Sequence, residues 1–325
     1  MMDRLSAHLD RGWDMVARGE TTKALLAARQ ALDLDDQSPE AYNLLGYVLA
    51  VDGNIDDAID AYGKAIDLDE WYLEPILNSA ELLAHPDGDP EEAIRLCRRT
   101  EEMVLSPVEK TDAILIEADA LFSLDRLDEA RERLSSVDPR DPLPQPYLVA
   151  MARLLIDLEE LEAAAAFAER AVAATPESGD ARYTLGVVAR EQGRRIDAVR
   201  AFLAARELDL AIPPAEWMPS EEQLCELIGH VVRRLPEEMR RMLKDTEIRI
   251  ERLPSEEQLR SELDERQILL ARDVDPERGR FEHLWVFSAN LESFAAPTTL
   301  EDDLERLIAL EIGAGEQLPF ERNGD

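Results

Sequence analysis

Gly53-Asn54-Ile55-Asp56-Asp57-Ala58 decides the reading of the first two thirds of this chain, because its spacing recurs. Gly19-Glu20-Thr21-Thr22-Lys23-Ala24 stands 34 residues earlier, and Gly193-Arg194-Arg195-Ile196-Asp197-Ala198 keeps nearly the same phase. In each copy a glycine precedes an alanine by five residues. Self-similarity at such a period marks a repeat architecture in which each repeat is one supersecondary element. Repeats then start near Leu5, Pro39, Leu73, Thr111, Gln145 and Gly179, with a short insertion at His85 to Pro90 and a loop near Pro107.

The pattern resembles the tetratricopeptide repeat, a helix-turn-helix element, over about residues 5–212. In the second repeat Tyr42, Leu45, Gly46, Leu49, Ala58, Tyr62 and Ala65 occupy its large, small and aromatic places. Ala24, Ala28 and Ala31 do so in the first copy, Ala118, Leu121 and Ala130 in the fourth, and Gly186, Ala198 and Phe202 in the last. The small residues let helices approach closely, and stacking buries faces that one repeat alone cannot. Ser79 and Glu117 depart from the pattern by standing where a large apolar residue is wanted. The resemblance implies a mainly α fold, a helical-hairpin solenoid of about six repeats over residues 1–212. It also implies that the first helices carry a partner-binding face. Partner-binding positions on that face are Trp13, Asn43, Tyr47, Phe122, Arg153, Tyr183 and Arg190, alongside Leu9, Leu77, Glu81, Leu115, Asp119 and Val187. Aromatic anchors give large contact area at low entropic cost. The basic set with which some such grooves grip a terminal carboxylate is missing, so a basic or amphipathic segment is the expected ligand.

Composition narrows the partners further. With 36 basic and 71 acidic residues the formal net charge is −35, which repels phosphate backbones and anionic lipid surfaces. Nucleic acid and membrane are therefore not expected partners, and a protein or peptide is. A hydrophobic content of 45% suits a chain with sizeable cores. Cys97 and Cys225 stand far apart, so no disulfide framework or paired-cysteine metal site is expected and a reducing, cytoplasmic setting fits. Met1 to Val16 is broken by charged residues and lacks a signal peptide's apolar core.

Ile212-Pro213-Pro214 ends the repeat phase, since two prolines cannot continue a helix, and a second domain is expected over residues 213–325. Ser220 caps a helix with an apolar stripe through Leu224, Leu227, Ile228, Val231 and Val232. A short helix from Glu238 to Leu243 comes next. Thr246 to Glu251 alternates like a half-buried strand, and Gln267 to Ala271 and Leu284 to Phe287 are two more strand candidates. A last helix runs from about Leu300 through Glu311, with Thr298 or Thr299 as its cap.

That order is similar to the small bacterial zincin-like metallopeptidases over about residues 220–318, which implies a small α+β domain. Leu235-Pro236-Glu237-Glu238-Met239 resembles the family's L-P-E-E-F, and Leu310-Glu311-Ile312-Gly313-Ala314 resembles the H-E-I-G-H that ends its helix. The histidines of that motif bind zinc and its glutamate activates water. Here Leu310 and Ala314 replace both histidines, Gln317 replaces the glycine, and Phe320 stands at the third ligand position. None of the three ligand positions offers a side-chain lone pair. Catalytic residues, metal ligands and cofactors are accordingly expected to be none, and Leu310, Glu311 and Ala314 form a vestigial motif. His8, His85, His230 and His283 are isolated from one another.

The leading expectation is a non-catalytic protein–protein interaction scaffold or adaptor with a pseudo-metallopeptidase C-terminal domain. The alternatives are a zinc-dependent peptidase or other hydrolase with ligands supplied elsewhere, and an acidic, chaperone-like holder of a basic partner.

Overall fold

The computed structural model describes residues 2–85, 87–261, 263–275 and 279–315. Its first half is built from the helices α1 (Met2–Ala17), α2 (Thr21–Leu34), α3 (Pro39–Val51), α4 (Ile55–Leu68), α5 (Leu73–Ala84), α6 (Pro90–Arg99), α7 (Pro107–Ser123), α8 (Leu127–Ser135), α9 (Gln145–Asp157) and α10 (Leu161–Ala174). Then come α11 (Gly179–Glu191), α12 (Arg195–Leu210), α13 (Glu221–Arg234), α14 (Glu237–Met242), β1 (Glu247–Glu251), α15 (Glu256–Arg260), β2 (Leu269–Asp275), β3 (Arg280–Phe287), α16 (Ser288–Phe294) and α17 (Leu300–Gly315). By its contacts the chain divides into two compact units, Met1–Thr175 and Pro176–Asp325.

In the first unit the helices pair as antiparallel hairpins, α1 with α2 through α9 with α10, and the first helices α1, α3, α5, α7 and α9 each touch the next. The recurring glycine has a physical reason. Gly19 and Gly53 sit at φ of 69° and 79°, each just past the first helix of its hairpin. The residue after each donates back five positions, Glu20 N–H to the Met15 carbonyl and Asn54 N–H to the Leu49 carbonyl, both at 2.9 Å. This is a Schellman cap, which closes a helix through a left-handed residue. Asp125 (φ 59°) and Glu159 (φ 63°) make the same turn without glycine, with Arg126 N–H and Glu160 N–H donating to Leu121 and Leu155.

The alanines and glycines of the pattern sit between helices. Ala24, Ala28, Ala58 and Ala65 have no exposed surface. A Cβ on Gly46 would stand 2.7 Å from the ring of Tyr62, itself 1% exposed, and one on Gly186 would stand 2.5 Å from Phe202. Gly46→Ala and Gly186→Ala are each expected to cost about 1–3 kcal/mol by overpacking. A fall in urea midpoint measures this, and an unchanged midpoint would mean that the rings have room to move.

The two departures from the repeat pattern are both buried. Ser79 is 3% exposed, and Glu117 is 0% exposed on α7, clamped between Arg98 Nε of α6 at 2.7 Å and Arg133 Nε of α8 at 2.6 Å. The carboxylate ties three helices where an apolar side chain is expected.

The second unit begins with the hairpin α11–α12, which turns through Gly193 at φ 73° with the same cap bond, Arg194 N–H to the Ala189 carbonyl. The proline pair comes after the end of α12 at Leu210, while the division between compact units falls before this hairpin, so α11 and α12 belong with the C-terminal elements. The three strands form one sheet ordered β1-β3-β2, with β1 parallel and β2 antiparallel to β3. Leu284 and Val286 of β3 pack with Leu224, Ile228 and Val231 of α13 and with Leu304, Ile308 and Ile312 of α17. Leu270 and Phe287 pack with Leu263 and Trp285 in a separate cluster. Ser220 caps α13 through a capping box, as its sequence position leads one to expect. Thr299 instead turns its hydroxyl back to Ala296, accepting from that residue's N–H, before α17 begins.

Candidate functional site

In the first unit the candidate face is carried by successive first helices. Trp13 of α1 and Tyr47 of α3 meet edge to face, with centroids 5.3 Å apart and planes at 63°. Trp13 is 37% exposed, so the pair leaves aromatic surface open. Asn43 departs from its expected role. It is 3% exposed, and its amide donates to the Tyr72 hydroxyl at 3.1 Å while its carbonyl faces Asn78 at 3.5 Å, so it serves the packing between helices rather than a ligand. Phe122 is 38% exposed. Arg153 lies exposed on α9, engaged with a neighbouring group.

The later first helices α5, α7 and α9 carry carboxylates that act on one another through their charge. Burial, and then the charge of Glu81 on α5, raise the pKa of Asp112 on α7. Burial also raises Asp119, against which His85 acts in the opposite sense. Asp157 on α9 is raised by burial and by Asp119. Tyr147 is raised by burial and by the Asp112 and Glu81 charges, so its hydroxyl keeps its proton and remains a donor. Each of these aspartates is less stable charged than in water, and an incoming cation would relieve that cost. Asp112, Asp157 and Tyr147 are not among the positions expected from the sequence. The signal there is weak, since Asp112 falls 34 residues after Asn78 and no recurring residue type marks the place.

In the second unit Tyr183 and Arg190, both expected to meet a partner, meet Asp264 of the same unit. The Tyr183 hydroxyl donates to Asp264 Oδ1 at 2.9 Å, and Arg190 Nη1 donates to Oδ2 at 2.7 Å. Arg266 lies 4.2 Å over the Tyr183 ring and pairs with Asp180 of α11 at 2.9 Å. Leu259 of α15, 1% exposed, enters the apolar pocket of Ala189, Ala198 and Phe202, with Tyr183 and Val187 at its side. Between Asp264 and Arg266, Glu265 is fully buried and neither of its oxygens has a hydrogen-bond partner. Arg266 Nε stands 4.0 Å away, and burial together with the Asp209 charge pushes the Glu265 carboxyl up to about 7. No sequence signal points to these loop residues, because only the tertiary fold brings them to α11.

The vestigial motif lies on α17. Leu310 is 63% exposed, and Glu311 accepts the Ala271 N–H of β2 at 2.9 Å. β2 has only β3 as a neighbour among the described residues, so Glu311 satisfies a backbone donor at an open strand edge. Glu311, Leu310, Leu307 and Tyr183 line part of an open cleft of about 580 Å³. The side chain of Ala314, and Gln317 and Phe320 altogether, lie outside the described residues. The donor set does not fit zinc: leucine offers no ligand atom, and no group of three or more histidine, cysteine, aspartate or glutamate side chains suited to a metal occurs among the described residues.

Comparison with known proteins agrees with the helical part. The tetratricopeptide repeat family model matches residues 9–70 and 149–212. The gap it leaves contains Ser79 and Glu117. Among solved structures, Pseudomonas aeruginosa pilF is 19% identical, with 63% of this chain and 92% of that one covered and a TM-score of 0.53. PilW, a type IV pilus biogenesis factor, is 14% identical, with coverages of 69% and 98% and a TM-score of 0.54. At such identities the likeness speaks for the fold alone. No curated protein matches the chain significantly. Glycine-to-alanine spacing, capped turns, buried small residues and the family match all lead to one statement: this chain carries tetratricopeptide repeats.

Proposed function

We propose that the chain is a non-catalytic interaction scaffold whose first unit receives a basic or amphipathic segment of another protein along α1, α3, α5, α7 and α9. The observation that carries this reading is a run of carboxylates set against like charge on successive first helices: half-buried Asp112, raised by burial and then by exposed Glu81, and exposed Asp157, raised by partial desolvation and then by Asp119. The Trp13–Tyr47 pair, on α1 and α3 of the same run of first helices, supplies an apolar anchor. A lysine or arginine reaching this strip offsets the mutual repulsion, while an apolar residue on the same segment covers the indole. The net charge of −35 disfavours nucleic acid, and no described helix is long and apolar enough to cross a membrane.

The C-terminal domain is read as zincin-like and without catalysis. That reading is supported by Leu310, which offers a metal nothing, and by Glu311, whose carboxylate is engaged by a backbone amide. Stoichiometric zinc in the purified protein would refute it.

Calorimetric titration with a lysine- and leucine-rich helical peptide tests the main proposal. Binding is expected at low salt and should weaken sharply at 0.5 M salt, where the screening length falls to about 4 Å. Glu81→Gln with Asp112→Asn should weaken it roughly tenfold, the effect of about 1.4 kcal/mol. Equal affinity for the variant would mean attraction to the overall charge and no use of this face.

A further inference from the structure

The face of α11 that the repeat pattern marks for a partner is already occupied, and the occupant shows what the face recognises. Tyr183, Val187 and Arg190 lie at helical spacing on one side of α11. Three contacts meet them from the segment after β1. Leu259 fills the apolar pocket between the two helices of the hairpin. Asp264 accepts from both Tyr183 and Arg190, and its Oδ1 also accepts the Arg266 N–H at 2.9 Å, which fixes the loop's own turn. Arg266 stacks on the Tyr183 ring and pairs with Asp180. Burial and the Asp264 charge raise the Tyr183 pKa, so its hydroxyl remains a donor to this carboxylate.

We propose that the first-helix side of hairpin α11–α12 is a recognition groove for a segment carrying leucine, then aspartate and arginine five and seven positions later, and that Leu259, Asp264 and Arg266 are its resident, displaceable occupant.

What makes the occupant displaceable is Glu265. Docking buries it among α12 and its own loop, facing Asp209 and Arg206 of α12 and flanked by Asp264 and Arg266, with no hydrogen bond to either oxygen. From α16, Asn290 reaches only the backbone carbonyls of Glu265 and Gln267, both at 2.8 Å. The resident thus bears a buried carboxylate without a hydrogen bond, its nearest cation 4.0 Å away, that a competing segment with an uncharged residue at that place does not carry. A partner of that kind would bind the same three contacts without this cost. The resident has only the advantage of being tethered, which counts as an effective concentration in the millimolar range. The residues and the ligand chemistry are distinct from those of the acidic strip, so the two proposals stand or fall separately.

The probe is a fluorescent peptide of residues 253–267 with Glu265→Gln, titrated by anisotropy into the 325-residue chain. Asp264→Ala in the protein cuts the resident's polar contacts and should raise peptide affinity at least tenfold over the intact chain. Adding Arg190→Ala to that variant should abolish the gain. Asp264→Asn, which keeps the side-chain shape, replaces Asp264→Ala if the latter does not fold by circular dichroism. Equal affinity of the intact and Asp264 variants, or a gain that persists with Arg190→Ala, would overturn the proposal.

Discussion

Replacing Arg98 and Arg133 together by methionine lowers the stability of the first unit by about 3–5 kcal/mol, because it strands the Glu117 carboxylate in the interior without a cation. Glu117 has no exposed surface, and its two oxygens are held at 2.7 and 2.6 Å by those two arginines. The arginines reach solvent, with 45% and 23% of their side-chain surface exposed, so the loss arises from the buried partner left behind. Adding Glu117→Leu to the double variant removes the stranded charge and should recover most of the stability, since replacing a whole buried ionic group by apolar residues is often neutral or favourable. Urea unfolding of the three proteins tests it. A double variant as stable as the parent would show that Glu117 does not depend on its cations.

The second large effect is a pH dependence in the other unit. Glu265 rises from an ordinary 4.5 to about 7 on folding, through burial first and the Asp209 charge second. A carboxyl whose folded pKa is raised is stabilised in its protonated form. Its contribution is complete below about pH 4.5 and is lost as pH rises to 7. At 1.36 kcal/mol per pKa unit the loss amounts to about 3 kcal/mol. Glu265→Gln mimics the protonated form. It should match the parent near pH 4 and exceed it by about 3 kcal/mol at pH 8, read from hydrogen exchange of the β3 amides. A difference that does not change with pH would show that Glu265 is solvated in the folded protein.

The hairpins are legible because their turns and close approaches each demand a small residue at a fixed place. Gly19, Gly53 and Gly193 announce the left-handed turn, whereas Asp125 and Glu159 make it without glycine. Their one trace in the sequence is Ala130 and Ala164, each five residues on. β1 is readable from its alternation. β2 runs to Asp275 and β3 begins at Arg280, beyond the apolar runs that mark them, because pairing between the two sustains strand where burial does not. Among the candidate site residues, the sequence places Tyr183 and Arg190 on a binding face but holds no sign of what binds there. Asp264 and Arg266 lie in a loop, and loops carry no period from which a position can be inferred. Asn43 obeys the period yet has a different role from the expected one, since its position also faces Asn78 of the next first helix.

The proline pair after Ile212 invites a cut, but separating the chain there would take Leu259 and Asp264 away from α11–α12. The shortened product would carry a final hairpin with its apolar pocket bared and Arg190 parted from Asp264, a sticky end that a pull-down would read as a partner-binding surface. Dissection after Thr175 keeps that hairpin with the residues that cover it. The repeat pattern thus counts α11 and α12 with the helices before them, while the contacts group them with the residues that cover them.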